Sequence, residues 1–92
     1  MPSLFELFGY KVFFWSNENN EPIHVHIVKG KPVANSTKVW LTKAGGCIVA
    51  NNNSKIPEKD LRELLDTITS NYFVIIAEWR KHNVDKEIKF YC

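Results

Sequence analysis

The sequence predicts an α+β fold, a small antiparallel sheet of about four strands packed by one long C-terminal helix. Two observations carry this expectation. Aromatic and β-branched runs, separated by Gly, Pro and Asn turns, fill the first half of the chain. From Leu61 onward the apolar residues recur at spacings of three and four, the period of one helix face. At 92 residues the chain has room for one core and reads as a single domain.

The elements follow in order. Residues from Phe5 form a short lead-in, and Gly9 opens a first strand over Tyr10-Lys11-Val12-Phe13-Phe14-Trp15. Asn17 to Pro22 is turn chemistry, because Asn tolerates left-handed backbone and Pro fixes φ. Ile23 to Val28 is the second strand and should pair antiparallel with the first. Lys29-Gly30-Lys31-Pro32 turns the chain again, and Lys38 to Leu41 is a third strand. Ala44-Gly45-Gly46 leads into a short fourth strand, Cys47 to Ala50, and Asn51 to Ser54 is a polar loop.

The helix stripe runs Leu61, Leu64, Leu65, Ile68, Tyr72, Ile75, Ile76, Trp79, one face of a helix of about 25 residues. Pro57 suits its first turn, and Glu58 and Asp60 complement the positive end of the dipole. Arg80, Lys81 and His82 complement the negative end, with Asn83 as cap. Ser70-Asn71 and the run Val74-Ile75-Ile76 are weak helix formers, which leaves a bend or break near residue 70 open. Glu87 to Tyr91 alternates polar and apolar, so it reads as a terminal strand for its own sheet or for a second protomer. Residues 1–83 thus form the domain and 84–92 a C-terminal extension.

Net charge is +2. Residues 1–57 carry six Lys against Glu6, Glu18 and Glu21, while residues 58–92 carry six basic against seven acidic side chains. A dedicated nucleic-acid binder shows a denser basic stripe, so this balance supports polyanion binding only weakly. Cys47 and Cys92 are the only cysteines, too few for a disulfide scaffold. The N-terminal stretch contains Glu6 and no basic leader, so it does not read as a secretory signal. No window has the apolar length of a membrane span. The expectation is a soluble cytoplasmic protein with reduced thiols and no membrane partner.

The chemistry-bearing stretch is Glu21-Pro22-Ile23-His24-Val25-His26. On a strand, side chains two apart share a face, so His24 and His26 stand together while Ile23, Val25 and Ile27 point the other way. Two such imidazoles chelate zinc or another divalent metal if a third ligand arrives, and Glu21, Glu18, Cys47 and His82 are the candidates. None lies at a diagnostic spacing. The structural alternative is that both imidazoles lie on an outer face or satisfy local hydrogen bonds, and no cofactor is expected. A histidine-triad hydrolase would need a third alternating histidine, where this chain has Val28. Pro22, Lys29 and Lys38 are the candidate binding surface around the pair. Trp15 and Trp40 could stack bases beside Lys38, but core positions under the helix are the favoured reading. A protein partner or self-association is expected, because a small domain gains stability by associating.

These residues also carry a resemblance. Met1-Pro2, Phe8-Gly9 and Val12 to Glu18 come first, then Glu21-Pro22-Ile23-His24-Val25-His26, Val39-Trp40-Leu41, Leu61 and Glu78-Trp79. The order resembles a widespread family of small prokaryotic proteins of unknown function, marked by a Pro-Pro-His-x-His hairpin and a long helix ending near a Trp. The resemblance covers residues 1–83, with residues 84–92 beyond the usual family end. Ile23 stands where the family has its second proline, which bears on entry to the hairpin more than on the imidazoles. The resemblance implies no established activity. Members resemble parts of two-gene modules, which implies a regulatory or toxin–antitoxin role, and Pro22, His24 and His26 are the positions to carry over as a site.

Overall fold

The computed structural model describes residues 3–7, 9–14, 21–30, 36–82 and 88–91. Among them the α+β class holds, with a five-stranded antiparallel sheet in the order β1-β2-β3-β4-β5 and two helices after it. The strands are β1 (Ser3–Leu7), β2 (Tyr10–Phe13), β3 (His24–Lys29), β4 (Thr37–Leu41) and β5 (Cys47–Asn51). The helices are α1 (Glu58–Ser70) and α2 (Tyr72–His82).

Two expectations need correction. The lead-in is itself a strand. β1 pairs with β2 through Phe5↔Val12, Glu6↔Lys11 and Leu7↔Tyr10. A chain return this tight needs a residue at positive φ, and Gly9 supplies it at φ 81°. The sequence of β1 is poor in β-branched residues, so its strand state comes from pairing rather than propensity. The single long helix is two helices of 13 and 11 residues, broken at Asn71. Asn71 leaves helical geometry at φ −108°, ψ 20°, and its side-chain Nδ2 donates to the Thr67 carbonyl at 2.9 Å. Its own N–H still donates to Thr67 O at 3.0 Å and its carbonyl accepts from Ile75 N–H at 3.0 Å. Asn71 therefore closes α1 with its N–H and opens α2 with its carbonyl.

The first hairpin strand stops at Phe13; Phe14 follows without regular pairing, and Trp15 lies outside the described residues. In the β4–β5 hairpin, Thr42 N–H donates to Gly46 O at 2.9 Å, and Gly45 takes φ 100°. The polar loop after β5 is built into the sheet. Asn52 Oδ1 accepts from the buried Thr37 hydroxyl at 2.7 Å and from Ile56 N–H at 3.0 Å.

One sheet face carries Tyr10, Val12, Val25, Ile27, Val39 and Leu41, and these pack with Leu64, Ile68 and Ile75 from the helices as the main core. All but Tyr10 are fully inaccessible to solvent. Burying each such aliphatic side chain contributes about 1.5–3 kcal/mol. The expected stripe faces inward as its period predicts.

The tail was expected to be a strand from Glu87. Glu87 lies outside the described residues, and 88–91 are not part of the ladder. Lys89 O nevertheless accepts from Ile23 N–H at 2.8 Å, and Ile88 and Phe90 pack on the core. The tail is thus engaged with its own sheet. No helix among the described residues is long and apolar enough to cross a membrane.

Candidate functional site

The alternation of β3 places His24 and His26 on the sheet face away from the main core, as the spacing predicts. Register adds their neighbours. His24 faces Trp40 and His26 faces Lys38 on β4, while Phe13 on β2 faces His26. Trp40 is therefore not among the residues of the main core, which corrects the expectation of a core position there. Trp15, its expected companion, lies outside the described residues.

This second face is covered. His24 has no solvent exposure and His26 has 8%. The rings pack against one another, with His24 and His26 edge to face at 4.9 Å. His24 also meets Trp40 at 5.6 Å and Trp79, from the last turns of α2, at 5.4 Å. Phe13 stacks on His26 at 5.5 Å, and Phe14 packs on Trp79 at 5.2 Å. Tyr91 lies parallel to Trp40, with centroids 5.0 Å apart and planes 4° apart. Such ring pairs add about 0.5–1.5 kcal/mol each beyond area burial.

Polar atoms inside this shell are paired locally. The Pro22 carbonyl lies 2.8 Å from His24 Nδ1. A carbonyl only accepts, so Nδ1 carries the proton and donates. Glu21 Oε2 lies farther from the same nitrogen, at 3.8 Å. It is engaged by Lys38 Nζ at 2.7 Å. Pro22 is therefore the hydrogen-bond partner and Glu21 a neighbouring charge. His26 Nδ1 and Ser36 Oγ form a second bond at 3.2 Å. The Lys38 ammonium also sits over the Trp40 ring at 4.3 Å from its centroid.

Not all of the predicted surface comes together. Glu21, Pro22, His24, His26 and Lys38 share one region, at the start of β3 and on β4. Lys29 does not join them. It pairs with Tyr10 at the opposite end of β3, its Nζ 5.6 Å from that ring, and Tyr10 belongs to the helix-covered face. Of the candidate third ligands, Cys47 sits on β5 against α1, its Sγ 3.7 Å from Leu65 O and 3.5 Å from Thr69 Oγ1. Burial, with the Asp66 charge nearby, raises the Cys47 thiol pKa, and the Thr69 hydroxyl opposes this in part. Glu18 and the side chain of His82 lie outside the described residues. Among the described residues, no group of three or more His, Cys, Asp and Glu side chains converges to hold a metal.

Phe13, Phe14, Ser36, Trp79 and Tyr91 are members of the cluster that sequence spacing did not single out for the pair. Ser36 lies ten residues from His26, and Trp79 and Tyr91 come from the far end of the chain.

Fold and cluster define a small α+β module with a second, aromatic core built around two imidazoles. The family model of a domain of unknown function, DUF4160, matches residues 9–80, and the chain belongs to that family. No curated protein and no solved structure matches the chain significantly.

Proposed function

We propose that this chain is a non-enzymatic binding module that acts in the cytoplasm on a protein partner, in a regulatory setting of the toxin–antitoxin kind. The observation that carries the reading is the enclosure of the imidazoles. His24 is fully buried and His26 nearly so, and each Nδ1 is engaged by a neighbour in the same chain. General acid–base work needs a group within reach of the proton it moves. Imidazoles walled in by Phe13, Trp40 and Trp79 instead hold the second face together.

The same enclosure supports a module without a resident cofactor. With Nδ1–H donating to Pro22 O, the lone pair of His24 lies on Nε2, and a zinc ion there would have to enter among the rings of His26, Trp40 and Trp79 and find further donors. Base stacking on Trp40 is disfavoured too, because Tyr91 and Lys38 already contact that ring. The regulatory setting rests on the resemblance to members of two-gene modules.

The test has two arms. The purified chain and its His24→Ala variant are assayed on RNA and nucleotides, with zinc supplied and with chelator. No turnover is expected in any condition, and His24→Ala should change only the unfolding midpoint. Turnover lost in a still-folded His24→Ala variant would replace this reading with a histidine- or metal-dependent nuclease. In the second arm, the product of the adjacent gene should copurify with the chain stoichiometrically. Its failure to bind would remove the two-component setting.

A further inference from the structure

The outward face of the helices carries a pattern that neither core uses. Phe73 is 81% exposed and Val74 56% exposed, side by side at the start of α2, and Ala77 is exposed one turn on. Asp66, Ser70, Phe73, Ala77 and Lys81 follow the three- and four-residue spacing of a single stripe. Asn71 joins the two helices, its N–H bonded to Thr67 O at the end of α1 and its carbonyl to Ile75 N–H at the start of α2, so the stripe passes from α1 to α2 through this one residue. Along it the chemistry is sorted. Glu63 and Asp66 precede the apolar centre, and Arg80 and Lys81 follow it. Arg62, one turn before Asp66, is paired with Glu58 at 2.9 Å.

A stripe that is acidic, then apolar, then basic is complementary to itself when reversed. We propose that two copies of this chain associate through this face, α1–α2 against α1–α2, antiparallel about a two-fold axis between Phe73 and Val74. Two-fold symmetry then fixes every other contact. Phe73 faces Val74 of the partner subunit. Ser70 faces Ala77 of the partner subunit, and these two small residues let the helices approach. Asp66 faces Lys81 of the partner subunit, so the axis yields two opposite-charge pairs at the rim of an apolar centre. Among the described residues Lys81 Nζ pairs with Glu78, at 3.1 Å on the surface, and such exposed pairs exchange readily.

A second copy is favoured over an unrelated partner because the charge order is the complement of itself. It is also favoured over pairing through the tail, whose Lys89 carbonyl is bonded to Ile23 within the chain. The association is independent of whether the module also binds a different protein.

Sedimentation velocity of the full chain over a concentration series tests the proposal. The native chain should form a reversible dimer that weakens with added salt. Phe73→Glu, Asp66→Lys and Lys81→Asp should each weaken it by about tenfold or more, since each acts twice across the axis. All three side chains are exposed, and circular dichroism verifies that the variants keep their fold. The deciding sample mixes Asp66→Lys with Lys81→Asp. Each variant alone meets like charges, but together they restore both opposite-charge pairs, so the mixture should dimerise. A native chain that stays monomeric, a dimer indifferent to these substitutions, or a mixture that does not recover would each overturn the proposal.

Discussion

An imidazole removed from water has to find partners for its nitrogens, and His24 finds the Pro22 carbonyl 2.8 Å away in its own strand entry. Its ring fills the space between Trp40, Trp79 and His26. Truncation at this residue removes packing and leaves a carbonyl unpaired, so His24→Ala should cost about 2–4 kcal/mol in urea unfolding. Glu21→Ala, which removes only the exposed carboxylate beside Lys38, should cost less than about 1 kcal/mol. Equal losses would mean that Glu21, not Pro22, holds the ring. Cys47 gives a second residue-scale expectation. Burial foremost, and then the Asp66 charge, raise its thiol pKa and leave little thiolate at neutral pH. In a Cys92→Ser background, iodoacetamide should alkylate folded Cys47 several-fold more slowly than the urea-unfolded chain at the same pH. Matching rates would show that the fold does not suppress the thiolate.

At the scale of elements, α1 and α2 have two faces with opposite consequences. Leu64 and Ile75 are fully buried against the sheet, and replacing either with Ala should cost about 2–5 kcal/mol. Phe73 is larger than both, yet Phe73→Ala in dilute protein should stay within about 0.5 kcal/mol, because its ring is mostly in water, with the Tyr72 ring at its edge 5.3 Å away. Chemical denaturation of the three variants distinguishes the faces, and a large loss at Phe73 would contradict this assignment. The inner face was legible in the sequence because its period is a local property of the chain. The break at Asn71 was half legible. Weak helix formers marked the place, but the bond from Asn71 Nδ2 to Thr67 O that supports it is a geometric fact. β1 was not legible, since Leu and Glu become a strand there only by pairing with β2. The candidate site divides in the same way. That His24 and His26 share a face follows from a two-residue spacing. That the face is closed follows from Trp79 and Tyr91, which reach it from the end of α2 and from the tail. No local pattern relates those residues to β3.

Across the whole molecule, two phenols join the sheet to the helices. Tyr10 on β2 donates to Asp60 of α1 at 3.0 Å, and Tyr72 of α2 donates to the Thr42 carbonyl after β4 at 2.5 Å. Both bonds need the hydroxyl proton. Burial is the main cause that raises the Tyr10 pKa above 10.0, and the hydrogen bond to Asp60 and its negative charge raise it further. Burial alone raises that of Tyr72. A raised pKa means that the folded state holds the proton more tightly than the unfolded chain. The associated stability is therefore complete below the unfolded value of about 10 and is lost as pH climbs through the higher folded value. Ionised Tyr10 would also face the Asp60 carboxylate with no proton between them. Unfolding free energy should thus fall on the alkaline side, beginning near pH 10. Tyr10→Phe should cost about 1 kcal/mol at neutral pH through the lost hydrogen bond, yet flatten the alkaline limb. Tyr72→Phe should flatten it independently, so the double variant should be the least pH-sensitive of the set. Urea titrations from neutral pH to pH above 10 measure both effects. An alkaline limb unchanged in the double variant would show that the layers are not coupled through these two protons.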